Sequence, residues 1–419
     1  MSYSTTKVFK MKRQILNFCE KISKGETRPE QKFVADICYG ALASQSCLLS
    51  SISHCLHEDT PKRRTVERLA RHLDRGISTK QHKNYLDMIS KWLPSEPVIY
   101  VDDSDITKPY GRHFENLCMV RDGSKSTAEK CVLEKGYSVT EAVALTKSKH
   151  PVSVYSKVWS SKSEDFISQN WFTEDVIDRC VKQFSKAVFV MDRGYDENAI
   201  YNKLTNCGQK FVIRVKMNRN VTIAGKSCSI AELCDSHKGK VCATFRHHGE
   251  KHDAKITCIN GYLTSAKIKA SIIIVYGLSD HPLVLATNKE ILNKQDLIRT
   301  ARLYFNRWRI EEYFRAKKNV FDFENFRVRS LVEINSLNFY LGVCMTFLGF
   351  LTDRAGSNSI YRDALDAARP IKVKVCFEYY RLAFGIHEIL AKGYSGVLGY
   401  FKPLRTNQMQ CHIRGFADL

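Results

Sequence analysis

The spacing of apolar positions changes near residue 95. Before that point, FVADICYGALASQSCLLSSISHCL (33–56) and KRRTVERLARHLDR (62–75) carry apolar residues at helical intervals, with Val66, Leu69 and Leu73 on one side of the second. Residues 1–93 are therefore predicted to be helical, with polar and basic outer faces. From PVIYV (97–101) onward the apolar runs are short and β-rich. YSVTEAVALT (137–146), PVSVYSKVW (151–159), AVFVM (187–191) and KFVIRV (210–215) all suit buried strands. A looser stretch around Asp122-Gly123 separates the first two of these runs. Helical spacing returns over 164–183, where Phe166, Ile167, Val176, Ile177 and Phe184 are predicted to point inward, and over ENAIYNKLTNC (197–207).

The resulting order is three strands, helix, strand, helix, strand. The first three strands can form an antiparallel meander. The later ones need helical crossovers to pair in parallel. This is the element order of a ribonuclease-H-like core, an α/β mixed sheet covered by helices, expected over residues 94–330. A β-rich insertion interrupts it at about 217–288, with VCATF, AKITCI, ASIIIVY and LVLAT as its strand-like runs. Residues 291–323 read as helical. Residues 331–419 read as a mostly helical C-terminal region ending in the basic tail KPLRTNQMQCHIRG. The most apolar run, NFYLGVCMTFLGFL (338–351), is too short and too polar for a membrane span and is predicted to be a buried helix.

Charge narrows the choice of partner. The chain has 65 Lys and Arg against 44 Asp and Glu, a net +21. Such a surface calls for a polyanion, nucleic acid ahead of an anionic membrane. The basic N-terminal region then reads as a DNA-recognition module, although it has no clean helix-turn-helix signature; a helical bundle with solvated basic faces is the alternative. The first residues lack the apolar core and cleavage site of a secretory signal. The 15 cysteines include no CxxC pair, which argues against a disulfide scaffold or a Cys₄ zinc site. Cys228, Cys234 and Cys242 lie near His247, His248 and His252, but at no common zinc spacing. Reduced cysteines in a cytoplasmic protein are expected.

The densest run of charge is YFNRWRIEEYFRAKK (304–318). On one continuous helix, Tyr304, Arg307, Glu311 and Lys318 fall within about 60° of one another. Leu303, Ile310, Phe314 and Phe321 form a core stripe beside them, while Glu312, Arg309 and Lys317 fall off that face. An Arg307–Glu311 pair could be an ordinary helix ion pair. Two further features favour more than that. Asp192 follows the strand AVFVM and precedes Arg193-Gly194-Tyr195-Asp196, and VDDSD (101–105) ends the first core strand. Carboxylates at strand ends lie where α/β folds place ligand groups. Two aspartates and a helical glutamate could converge, and hard divalent cations prefer such oxygen ligands. Two ions about 3.5–4 Å apart can activate an attacking oxygen and stabilise a leaving one in phosphodiester chemistry.

Together these residues resemble the DDE transposases of bacterial insertion sequences, in particular the cut-and-paste group with a β-rich insertion before the catalytic glutamate. The signature Tyr-x₂-Arg-x₃-Glu-x₆-Lys of that group is matched by Tyr304, Arg307, Glu311 and Lys318. Its strand-Asp-Arg segment is matched by VMDRGYD, hence Asp192. Its strand followed by Asp-Thr/Ser is matched by YVDDSDI, hence Asp103 ahead of Asp102. The resemblance spans about residues 30–350. It implies that Asp103, Asp192 and Glu311 hold two Mg²⁺ ions, with Mn²⁺ able to substitute. Water then cuts the phosphodiester at the element end, and the freed 3′-OH attacks in turn, through a DNA hairpin in some related enzymes. It further implies DNA contacts by Tyr304, Arg307 and Lys318, with Arg193, Arg214 and Lys216 as weaker candidates. The implied partners are double-stranded DNA, as element ends and as target, and a second copy in a synaptic homodimer whose interface would use the C-terminal helices. No membrane is implied, and the expected location is the cytoplasm, at the nucleoid. A catalytically inactive DNA-binding protein, or a nuclease on the same core, are the alternatives.

Overall fold

The computed structural model describes residues 3–401 apart from 128, 248–249, 357 and 371–376. His248 and the basic tail from Lys402 lie outside the described residues.

Three long runs make the meander. β1 (Val98–Thr107), β3 (Leu133–Leu145) and β4 (Pro151–Trp159) pair antiparallel in turn. β5 (Val188–Met191) and β6 (Lys210–Arg214) then add in parallel on the other side of β1. The order β4-β3-β1-β5-β6 is that of the ribonuclease-H-like core. A short strand in the looser stretch, β2 (Cys118–Arg121), pairs with the start of β3. Where β1, β3 and β2 meet, a Cβ on Gly136 would stand 2.3 Å from the Ile106 carbonyl oxygen, so only glycine lets the three backbones close.

The β-rich segment does not form a separate layer. β12 (Leu283–Thr287) pairs antiparallel with β6, and β11 (Ile268–Tyr276) and β10 (Glu250–Leu263) follow. β9 (Val241–His247) and the hairpin β7 (Asn220–Ile223)–β8 (Lys226–Ser229) pair along the far edge of β10. A single 12-stranded sheet results. The segment also holds a short capped helix, α8 (Ile230–Ser236), that its strand-like runs did not predict.

Helices cover both faces of the core strands. On one face lie α6 (Gln169–Gln183) and α7 (Asn198–Asn206). α6 begins later than its apolar spacing suggested, because Ser168 caps it by accepting from the Trp171 N–H. Ile167 therefore lies outside the helix and is 68% exposed, not inward. On the other face lie α9 (Lys294–Phe305), α10 (Trp308–Phe321) and α11 (Leu331–Asp353). α11 contains the apolar run at 338–351. It is long and apolar enough to cross a membrane, but 89% of its apolar window is buried inside the protein, against β4 and other helices. The N-terminal helices α1 (Tyr3–Ile22), α2 (Arg28–Ser44), α3 (Leu49–Leu56), α4 (Lys62–Asp74) and α5 (Thr79–Ser90) pack on one another. They also pack on α11, α12 (Ser359–Ala367) and α13 (Tyr379–Leu390). The two ends of the chain thus share one core.

Candidate active site

The site begins with strand register. β1 continues to Thr107, so VDDSD lies inside the strand and does not end it as expected; Asp192 does follow the end of β5. Val101 lies opposite Met191 in the parallel pair β1–β5, so the next residues, Asp102 and Asp192, stand side by side. Alternation along β1 sends Tyr100 and Asp102 to one face and Val101 and Asp103 to the other. Tyr100 marks the first face, since its hydroxyl donates to the Leu303 carbonyl in α9 at 3.1 Å. That is the face covered by α9 and α10.

Residues 291–323 are helical as expected, but the stretch at 303–321 laid on one continuous helix is divided between two. After Phe305 the backbone tightens: the N–H groups of Arg307, Arg309 and Ile310 bond to carbonyls three residues back. Arg307 becomes the N-cap residue of α10. From there its guanidinium spans the site. Nη1 donates to Asp102 Oδ2 at 2.7 Å and Nη2 to Glu311 Oε1 at 2.6 Å. Tyr304, near the end of α9, is buried, and its hydroxyl donates to Asp192 Oδ1 at 2.7 Å. Arg214, at the end of β6, approaches Asp192 at 3.7 Å. Asp102, Asp192, Glu311, Tyr304 and Arg307 thus form one cluster, in which Arg307 pairs with two of the three carboxylates and Tyr304 bonds the third.

Asp103 is elsewhere. Its Oδ2 accepts from Gln169 Nε2 at 2.7 Å and from the Tyr195 hydroxyl at 3.0 Å, and its Oδ1 accepts from the Thr140 hydroxyl. These groups belong to the start of α6, the turn after Asp192 and β3. The register puts Asp102 beside Asp192, whereas the motif YVDDSDI put Asp103 first.

The other expected DNA contacts divide. Arg193 and Arg214 line a cavity of about 450 Å³ together with Tyr304, Arg307, Trp308, Glu311, Met217 and Pro282. Lys216 does not line it; its Nζ pairs with Glu197 at 2.7 Å. Lys318 lies 3.5 Å from Asp105 and 3.3 Å from Glu324, at the other end of α10. Lys317, expected off the charged face, is buried and pairs with buried Glu141 of β3 at 3.0 Å. Glu141 lies opposite Asp102 in the β1–β3 register and also accepts from the hydroxyls of Ser156, at 2.7 Å, and Ser153. Nothing in the spacing of 133–146 signalled a buried ion pair beside the site.

The titration behaviour follows from this geometry. Burial pushes the Asp102 carboxyl up to about 7, with Arg307 opposing and Asp103, Asp192 and Glu311 adding to the shift. Burial also raises Asp103, against the three hydrogen bonds it accepts. Burial works the same way on Asp192, but Arg307, the Tyr304 hydroxyl, the Arg193 N–H and Arg214 outweigh it and hold that carboxyl below its ordinary value. Arg307 loses from burial and gains more from Asp102, Asp192 and Glu311, so its charge is reinforced.

Residues 169–347 match the family model of the transposase DDE domain. The match takes in Asp192, Glu311 and the whole Tyr304–Lys318 stretch and supports a DDE transposase. It covers less than half the chain and begins after β1, so the choice between Asp102 and Asp103 rests on geometry alone. No curated protein matches the chain.

The carboxylates of a DDE site serve divalent metal ions. The donor set here suits a hard cation: three carboxylates from β1, β5 and α10, with no sulfur or imidazole among them. Among the described residues, no three carboxylate, imidazole or thiol side chains stand close enough to share one ion as they are placed. At the candidate site the guanidinium of Arg307 lies between Asp102 and Glu311.

Proposed function

We propose that this protein is a DNA transposase that cuts and joins DNA at Asp102, Asp192 and Glu311 with Mg²⁺ or Mn²⁺. The observation that carries the reading is the parallel register that sets Asp102 beside Asp192, on the face where α10 presents Glu311. The transposase DDE domain match over Asp192 and Glu311 supports it from an independent direction.

The three carboxylates would hold the ions, which supply Lewis-acid activation of a water or 3′-OH and of the leaving oxygen. The chain's own residues bind and position. Arg193, Arg214 and Arg307 line the cavity next to the trio and would hold backbone phosphates in line with it. Tyr304 fixes the orientation of Asp192 through its hydroxyl. Asp103 ties the start of α6 to the turn that follows Asp192, through Gln169 and Tyr195, and so holds that turn in place. No covalent enzyme intermediate is needed.

In this reading the partners are the terminal inverted repeats of an element and a target duplex, and two copies act together, with the C-terminal helices at their interface. The protein then works in the cytoplasm on nucleoid DNA. The net charge of +21 supports the polyanionic partner.

The test is cleavage of a DNA fragment carrying the element ends, with and without Mg²⁺. Asp192→Asn should abolish cutting and leave DNA binding nearly intact. Undiminished cutting by that variant would sink the assignment. Cutting without strand transfer would identify a nuclease, and binding without cutting an inactive DNA-binding protein.

A further inference from the structure

Arg307 occupies the place of a cation. Its two terminal nitrogens lie 2.7 and 2.6 Å from oxygens of Asp102 and Glu311, and its side chain is only 16% exposed. Both carboxylates belong to the trio that would hold a divalent ion. An ion bound there would sit close to the guanidinium, where like charges repel, and would compete with it for part of the carboxylate lone pairs. The contact with Glu311 is the more open of the two, with that carboxylate 45% exposed against 21% for Asp102.

The residue is also placed to leave. It sits at the N-cap of α10, in the tightened link after α9, and borders the cavity of about 450 Å³ that Arg193 and Arg214 line. A phosphate entering that cavity would offer the guanidinium a planar, bidentate, charged partner, the geometry arginine favours. Leaving the carboxylates for the phosphate exchanges one pair of charge-assisted hydrogen bonds for another. It also exposes the oxygens of Asp102 and Glu311.

We infer that Arg307 is the resident counter-ion of the carboxylate trio, released from Asp102 and Glu311 when DNA phosphate enters the neighbouring cavity. This rests on the proposed reading of the trio as a metal site. It makes metal and DNA binding mutually reinforcing, because each removes an obstacle to the other and the coupling is reciprocal. A transposase built this way holds metal poorly until DNA is seated.

The experiment measures Mn²⁺ affinity of the full-length protein by electron paramagnetic resonance, with no DNA and with a duplex oligonucleotide. Without DNA, Arg307→Gln should bind Mn²⁺ at least about tenfold tighter than wild type, a coupling of ordinary size. Arg307→Lys, which keeps a cation in place, should stay near wild type. Adding the duplex should tighten Mn²⁺ binding in wild type and do so less in Arg307→Gln. Thermal melts of each variant establish that it is folded. If Asp192→Asn loses Mn²⁺ but Arg307→Gln gains none, the counter-ion role is wrong while the metal site stands. Equal Mn²⁺ binding by Asp192→Asn and wild type overturns both.

Discussion

Asp102, within β1, and Asp192, just past the end of β5, stand side by side, one residue beyond the paired Val101 and Met191. Asp103, one position further, faces the opposite side and accepts from Gln169, Tyr195 and Thr140. The two adjacent aspartates should therefore respond differently to the same substitution. Asp102→Asn should lower metal-dependent end cleavage by more than about 100-fold, beyond the 10–100-fold typical of a group that only supports a ligand. Asp103→Asn keeps one acceptor for its neighbours and should cost at most about 10–100-fold. Cleavage rates at saturating DNA decide the matter, and the reverse order would return the first carboxylate to Asp103.

The raised Asp102 carboxyl gives a pH dependence whose sign can be worked out. In the folded, metal-free protein it keeps its proton up to about pH 7, while in the unfolded chain it loses it near the ordinary value of 3.8. Between those values the folded state binds more protons, so this group's contribution to stability falls as pH rises, and levels off above about 7. The stability of Asp102→Asn relative to wild type should therefore increase from about pH 5 to about pH 7 and then stay constant. Denaturant titrations of both metal-free proteins across that range would show it. A metal at Asp102 must displace the same proton, so Mn²⁺ affinity of wild type should also rise through this window. A pH-independent difference in stability would contradict the burial of Asp102.

The buried Glu141–Lys317 pair fixes α10 to β3 next to Asp102, on the same face of the sheet. Removing one partner strands the other charge. Glu141→Gln should destabilise the protein by about 3–5 kcal/mol, whereas Glu141→Leu with Lys317→Met should recover much of that loss. Urea midpoints of the single and double variants test this. A single variant as stable as wild type would mean that the pair is solvated or absent.

How much of this was legible beforehand depended on the kind of pattern involved. The strand runs at 97–101, 137–146, 151–159, 187–191 and 210–215 all became strands of the core sheet, because burial on both faces leaves continuous apolar sequence. Four features were not legible. Register between β1 and β5 is a relation between distant segments, and a shift of one residue exchanges Asp102 for Asp103. The break between α9 and α10 involves no Pro or Gly, only a backbone tightened at Asn306 and Arg307, so a single helical wheel ran through it. Lys317 lies next to the predicted apolar stripe, and a lysine there reads as surface unless Glu141 is known to face it. The pairing of Arg307 with Glu311 was visible as an i,i+4 spacing; its second bond, to Asp102, was not.

The shared core of the two chain ends has a weak point that can be checked without any assay of function. A Cβ on Gly385 in α13 would stand 1.8 Å from the carbonyl oxygen of Ala364 in α12, which is backbone and has no rotamer to escape into. Gly385→Ala should destabilise by about 1–3 kcal/mol or more, as overpacking does. Gly399→Ala, where nothing lies within 4 Å, should change stability by less than about 0.5 kcal/mol. Equal melting temperatures for the two variants would mean that α12 and α13 do not pack this closely.

Arg193 and Arg214 line the cavity beside the trio, whereas Lys216, two residues beyond Arg214, pairs with Glu197 and lies outside it. All three carry the same charge and lie at or just past the ends of the neighbouring strands β5 and β6, so a purely diffuse electrostatic attraction would treat them alike. Specific phosphate contacts would not. Each contact that releases a counter-ion steepens the fall of log affinity with log salt by about one unit. Arg193→Ala and Arg214→Ala should each reduce the slope by about that amount, while Lys216→Ala should leave it nearly unchanged. DNA affinity measured across a series of salt concentrations separates the two cases. If Lys216→Ala lowers the slope as much as Arg193→Ala does, the phosphates run along the end of β6 and not through the cavity, and the path of DNA past Arg307 must be drawn differently.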